Sequence, residues 1–295
     1  MRTASRLSAD FVEREYNLRA AFPDHPQWFA RWAAESAEAR TALIGHTGAR
    51  LDLRYGSGPK QTLDLFPAEN ARGALLFIHG GYWRALDKTD HSFVAPPLVS
   101  AGIGVAVINY DLCPDVGIAR IVEECREAVA WLRREGARHG VPAVRLVISG
   151  HSAGGHLAAM LIATDRSASG PTIVGGVAIS GVFDLEPLVK VSFNVDLRLD
   201  ASSAHALSPI HLRPREPVPL LLAAGEDETG EFIRQSRLLW ERWPECRPAG
   251  QNGPLLVPSR HHFSVLSELG DPQSGLVRET LELFGSATNP RAPDV

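Results

Sequence analysis

Residues 146–160 read Leu146-Val-Ile-Ser-Gly150-His-Ser-Ala-Gly154-Gly-His-Leu-Ala-Ala-Met160. Leu146–Ser149 is a short apolar run of strand character, and Gly155–Met160 continues as a helix-forming stretch. Between them stands Gly150-His151-Ser152-Ala153-Gly154, a GxSxG pentapeptide. The pattern alone is short enough to arise by chance, so its setting carries the weight. A serine at a sharp strand-to-helix corner presents its hydroxyl outward, and a glycine two residues to either side lets the strand and helix approach closely. A glycine-rich corner with an incidental serine is the competing reading.

Outward from this corner the chain keeps one rhythm. Short apolar runs at Ala74–Ile78, Gly104–Asn109, Leu146–Ser149, Val174–Ile179, Leu220–Ala224 and Leu255–Val257 are separated by helical stretches. Runs apolar on both faces belong in a parallel sheet covered by helices on each side. Ile118, Ile121, Val122, Cys125, Val129 and Leu132 recur at helical spacing opposite Arg120, Glu123 and Arg126, as in an amphipathic crossover helix. Upstream, Leu51–Tyr55 and Gln61–Phe66 flank Gly56-Ser-Gly-Pro59, a hairpin signal. The whole predicts an α/β-hydrolase fold over residues 51–295, with an eight-stranded, mostly parallel sheet. Residues 1–50 read as a helical extension packing on that core, with Phe11, Leu18, Trp28, Phe29 and Trp32 at apolar positions. Residues 184–217 carry Pro187, Pro209, Pro214 and Pro217 and no clear strand. They are expected to form an insertion over the strand ends, where open α/β sheets bind ligands; a plain surface excursion is the alternative.

Composition narrows the function. Of 295 residues 44% are hydrophobic and 22% charged, the mix of a globular protein long enough to bury a large core. A net charge of −4 with scattered Lys and Arg gives no footprint for nucleic acid. No apolar run approaches a membrane span, and no apolar stretch follows the first residues as a secretory signal would require. Cys113, Cys125 and Cys246 are odd in number and far apart, which fits a reducing cytoplasm better than a disulfide framework. The expected partner is a small-molecule substrate; the sequence admits a homodimer without arguing for one.

A serine hydroxyl needs a base, and the base needs an acid. In this fold both follow the serine at the ends of later strands. His262, in Ser259-Arg-His-His-Phe263 past Leu255–Val257, is the expected base, with His261 its neighbouring rival. After Leu220–Ala224 come Gly225-Glu226-Asp227-Glu228, three adjacent carboxylates. His79-Gly80-Gly81-Tyr82-Trp83 follows the strand Ala74–Ile78; its backbone N–H groups at Gly81 and Tyr82, with that of Ala153, are candidates for an oxyanion hole. No GxxxxGK[ST], HExxH or dinucleotide-binding GxGxxG is present, so neither cofactor nor metal is expected.

With these residues assembled, the chain resembles the kynurenine formamidase (arylformamidase) branch of the α/β-hydrolases, near the hormone-sensitive-lipase-like esterases. The resemblance rests on HGGxW at His79–Trp83, Asn109-Tyr-Asp-Leu-Cys-Pro114, Ser180-Gly-Val-Phe-Asp-Leu-Glu-Pro187 and Glu231-Phe-Ile-Arg-Gln-Ser236. Glu15-Tyr-Asn-Leu-Arg19 and Asp64-Leu-Phe66 add to it, so that it spans about residues 13–266. It implies an acid three residues after Gly225, hence Glu228, where animal members often carry Asp; Asp227 is the rival. It further implies hydrolysis of an aryl formamide, with a general carboxylesterase for short acyl esters as the alternative. Trp83, Tyr110 and Phe183 are then candidates to pack against the substrate's ring. A catalytically inactive receptor on the same fold would have no need of nucleophile, base, acid and oxyanion glycines together.

Overall fold

The computed structural model describes residues 7–164 and 172–285. Helices α1 (Ala9–Tyr16), α2 (Leu18–Ala21) and α3 (His25–Thr47) come first. The hairpin β1 (Arg50–Arg54) and β2 (Thr62–Phe66) leads into β3 (Ala74–Ile78), α4 (Ala95–Ser100), β4 (Gly104–Ile108) and α5 (Ile118–Glu135). Then follow β5 (Arg145–His151), α6 (Ala153–Thr164), β6 (Thr172–Ile179), α7 (Asn194–Leu197) and α8 (Ala201–Ala206). The chain closes with β7 (Leu220–Gly225), α9 (Gly230–Arg242), β8 (Leu255–Val257) and α10 (Gly275–Glu282).

The eight strands form one sheet in the order β1-β2-β4-β3-β5-β6-β7-β8. The hairpin joins it antiparallel through β2 against β4; every pairing from β3 onward is parallel. This is the sheet and topology of an α/β-hydrolase. Every residue of β3, β4 and β7 is buried, as parallel strands covered on both faces must be. Of the crossover helices, α5 buries the six apolar positions its spacing predicts. Helix α6 is apolar all round and has all but its last residue buried, which fits its place behind the central strand.

The N-terminal helices share this core: one apolar cluster runs from Leu7 to Phe284. Trp32 of α3 is 1% exposed and packs against His91, Phe93, His151 and Phe263. An ion cluster fixes α3 to the sheet. The fully buried Asp64 of β2 pairs with Arg40 of α3 and, at 2.6 Å, with the Lys88 ammonium. Residues 184–217 contain no strand; they fold as 3-10 turns at Glu186–Lys190 and Pro209–His211 around α7 and α8. Among the described residues no helix is long and apolar enough to cross a membrane.

Candidate active site

The corner at Ser152 is built as its glycines require. A Cβ on Gly154 would stand 1.9 Å from the Ile78 carbonyl oxygen, and one on Gly150 would stand 2.3 Å from the Gly154 carbonyl carbon. Ser152 sits at φ +56°, a left-handed conformation that costs a side-chain-bearing residue on the order of 1–3 kcal/mol. Its N–H donates to the Ile179 carbonyl at 2.8 Å, which offsets part of that cost.

Glu228 meets His262, which lines the same pocket as Ser152. The carboxylate Oε2 lies 2.9 Å from His262 Nδ1, and both side chains are essentially sealed from solvent. Oε1 of Glu228 accepts the Gly225 N–H at 2.8 Å and the hydroxyl of Ser180. The carboxylate is therefore held at both oxygens. Its neighbours Glu226 and Asp227 are exposed, and the Asp227 N–H is bonded to the Arg260 carbonyl. His261 turns away from Glu228: its Nε2 lies 3.1 Å from Asp24 Oδ2 and its ring stacks on Phe22 at 4.8 Å.

The loop after β3 is left-handed at three successive residues, Gly81 (φ +101°), Tyr82 (+49°) and Trp83 (+56°). At Gly81 a Cβ would lie 2.2 Å from the Ala85 carbonyl oxygen, so only glycine fits there. Among the described residues none accepts a hydrogen bond from the N–H of Gly81 or Tyr82. Ala153 opens α6, where an N–H has no intrahelical acceptor.

These groups open into a pocket of about 570 Å³, mouth included, lined by Ser152, His262, Gly81 and Tyr82. Its apolar walls come from elsewhere in the chain: Leu18, Phe29 and Trp32 from the N-terminal helices, Phe193 from the 184–217 segment, and Phe263. Tyr16 locks the N-terminal wall in place. Its hydroxyl donates to Glu231 Oε2 at 2.8 Å and accepts from Gln235 Nε2 at 2.8 Å, while its carbonyl accepts the Tyr82 hydroxyl at 2.7 Å.

Three expected substrate contacts are corrected. Trp83, Tyr110 and Phe183 are 0% exposed, and none lines the pocket. The left-handed turn at Trp83 sends its ring inward, edge-on to His156 at 4.9 Å. Tyr110 stacks on His79 at 4.4 Å and donates to the His79 carbonyl, supporting the loop from below. Phe183 packs onto Gly181, where a Cβ would come within 2.3 Å of its ring. Aromatic content marked these residues; their burial is a matter of backbone direction, which composition does not carry.

Sequence reading also passed over His151 and Ser180. His151 Nε2 donates to the His262 carbonyl at 2.8 Å, its ring 4.8 Å from the His262 ring. Burial holds the His151 imidazole well below its ordinary pKa, as it lowers His79 and His156 to about 4 and His91 to about 3. All four are neutral at pH 7. Away from the pocket lining, Glu186 Oε1 lies 3.0 Å from His205 Nδ1 and 3.2 Å from His211 Nε2, the one group among the described residues able to hold a metal ion.

Comparison with known proteins agrees with this geometry. The BD-FAE family profile matches residues 63–181, which span the left-handed loop after β3 and the serine corner. A kynurenine formamidase of Salmo salar is 27% identical over 95% of this chain and 98% of its own. That of Drosophila melanogaster is 30% identical, covering 77% of this chain and 78% of the relative. The crystal structure of a putative thioesterase from Silicibacter sp. TM1040 superposes with a TM-score of 0.81 at 34% identity, over 90% of this chain and 98% of that one. With strand order, serine corner and near-full-length relatives in agreement, the chain belongs to the kynurenine formamidase family of α/β-hydrolases.

Proposed function

We propose that the protein is a serine hydrolase that cleaves aryl formamides of the N-formylkynurenine type, with Ser152, His262 and Glu228 as its triad. The observation that carries this reading is the 2.9 Å contact from His262 Nδ1 to a doubly anchored carboxylate, set behind an aromatic-walled pocket. With Nδ1–H donating to Glu228, the Nε2 lone pair is free to act as base. It takes the Ser152 proton as the oxygen attacks the formyl carbon. The carbonyl electron pair moves to oxygen, where the N–H groups of Gly81, Tyr82 and Ala153 receive it, each donor lowering the barrier by roughly 3–4 kcal/mol. As the pair returns, the C–N bond breaks and the His262 proton passes to the departing arylamine. Water, activated by the same imidazole, then releases formate from Ser152. The side chains of Phe29, Trp32 and Phe193 supply surfaces for the ring of the arylamine. The three buried free thiols accord with a reducing, cytoplasmic setting.

Purified protein assayed with N-formylkynurenine and with p-nitrophenyl acetate, butyrate and hexanoate tests the reading. We expect the highest kcat/KM on N-formylkynurenine and a steep fall from acetate to butyrate. Preference for butyrate or hexanoate, with the formamide untouched, replaces the formamidase by a carboxylesterase using the same triad.

A further inference from the structure

The walls of the pocket are apolar, and no Asp or Glu is among the residues that line it. Two guanidinium groups reach it, and they differ. That of Arg84 is ion-paired with Asp196 and lies 5.1 Å over the Phe193 ring, so its charge is neutralised in place. That of Arg19 lies 5.8 Å over Phe29 and, among the described residues, has neither an acidic partner nor a hydrogen bond.

Glu13 and Glu15, the nearest acids before it in the chain, are engaged elsewhere. Glu13 takes hydrogen bonds from Asn17 and from the backbone and hydroxyl of Ser192. Glu15 meets Arg14 and the Glu231 N–H. A delocalised cation resting on an aromatic face at the edge of an apolar pocket is preorganised for a planar anion.

We propose that Arg19 forms an anion subsite at the pocket mouth and is the residue that receives a carboxylate borne on the arylamine side of the substrate. The formyl group itself is too small to carry such a charge, so the leaving group must bear it. This rests on the reading of the pocket as a site of aryl formamide hydrolysis and adds to it the residue that selects among formamides. Arg19 acts on binding alone, equally in ground and transition state, so its contribution falls on KM and not on kcat.

The experiment compares N-formylkynurenine with 2′-formamidoacetophenone, which keeps the ring, ketone and formamide but lacks the amino-acid tail. The expected result is that Arg19→Met lowers the ratio of their kcat/KM values by roughly three- to fivefold, through KM for N-formylkynurenine, whose tail bears the carboxylate. Arg19→Glu should lower it further, and Arg19→Lys should recover part of it. Because Arg19 is exposed, the wild-type ratio should also fall as salt rises from 0.05 to about 0.5 M, and the Met variant should lose that dependence. A ratio unchanged in Arg19→Met, or a loss borne by kcat on both substrates, overturns the subsite. Should wild-type protein cleave neither formamide, the formamidase reading fails by itself. The subsite is then read from 3-(2-acetoxyphenyl)propanoate beside phenyl acetate, where an unchanged ratio in Arg19→Met overturns it equally.

Discussion

At the residue scale the site divides by how local its signals are. Ser152 was legible because the corner is a contiguous motif whose glycines answer to contacts of about one atom's width. The acid was harder. Three carboxylates in a row look alike in sequence, and what separates them is that Glu228 is buried with two donors on Oε1 while Glu226 and Asp227 face solvent. That difference makes a sharp test. Glu228→Gln should lower kcat by roughly 10²–10⁴-fold, since the amide cannot stabilise the imidazolium, whereas Asp227→Asn should change it by less than about threefold. Steady-state kinetics on the two variants, ranked in the opposite order, would move the acid to Asp227. Ser152→Ala should remove at least about 10³-fold of the activity and all covalent labelling by a sulfonyl fluoride, read by intact-protein mass spectrometry. The ring contacts were not legible. Trp83, Tyr110 and Phe183 have the right chemistry, but their direction depends on φ values and on packing partners far off in sequence.

At the element scale, the strands announced themselves because a parallel strand buried on both faces must be a bare apolar run; β3, for instance, is Ala74–Ile78 in the sequence reading and in the structure alike. The pocket walls did not. The spacing of Phe29 and Trp32 marks a packed helix face, but nothing local says that the face borders the pocket of Ser152. What sets it there is the pairing of Arg40 on α3 with Asp64 of β2, while a separate bridge, the Tyr16 hydroxyl on Glu231 and Gln235, ties α1 to α9. Tyr16→Phe deletes a donor to a buried carboxylate and an acceptor for a buried amide, a loss of about 1–3 kcal/mol. For a domain of this size that corresponds to a melting temperature lower by roughly 3–8 °C, checked by calorimetry at pH 7. A shift under 1 °C would mean that water replaces the hydroxyl and that the bridge contributes little.

At the scale of the whole molecule, the buried neutral histidines couple the fold to pH. His79, His91, His151 and His156 are all lowered, chiefly by burial, whereas in the unfolded chain each titrates near the ordinary value of about 6.5. Below that value the unfolded state binds more protons than the native one. The stability they support is thus complete above about pH 6.5 and is lost as pH falls toward 4. The slope should reach a few kcal/mol per pH unit near pH 5, each histidine adding up to about 1.4. Urea unfolding at pH 7, 6 and 5 measures it, and His156→Gln should reduce the slope by about one proton. A flat profile across that range would show these rings to be protonated in the native state. The bridge from Tyr16 has a consequence in time as well as in space. Its acceptor Glu231 lies 215 residues later in the chain. At about 5–20 residues per second a ribosome delivers it roughly 10–45 s after the tyrosine. Through that interval α1 lacks its anchor on α9, and Val12 and Tyr16 are open to any apolar neighbour. The wall that shapes the substrate is synthesised first and closed late, so a nascent chain that stalls before α9 is a sticky one, and chaperones have their opportunity there.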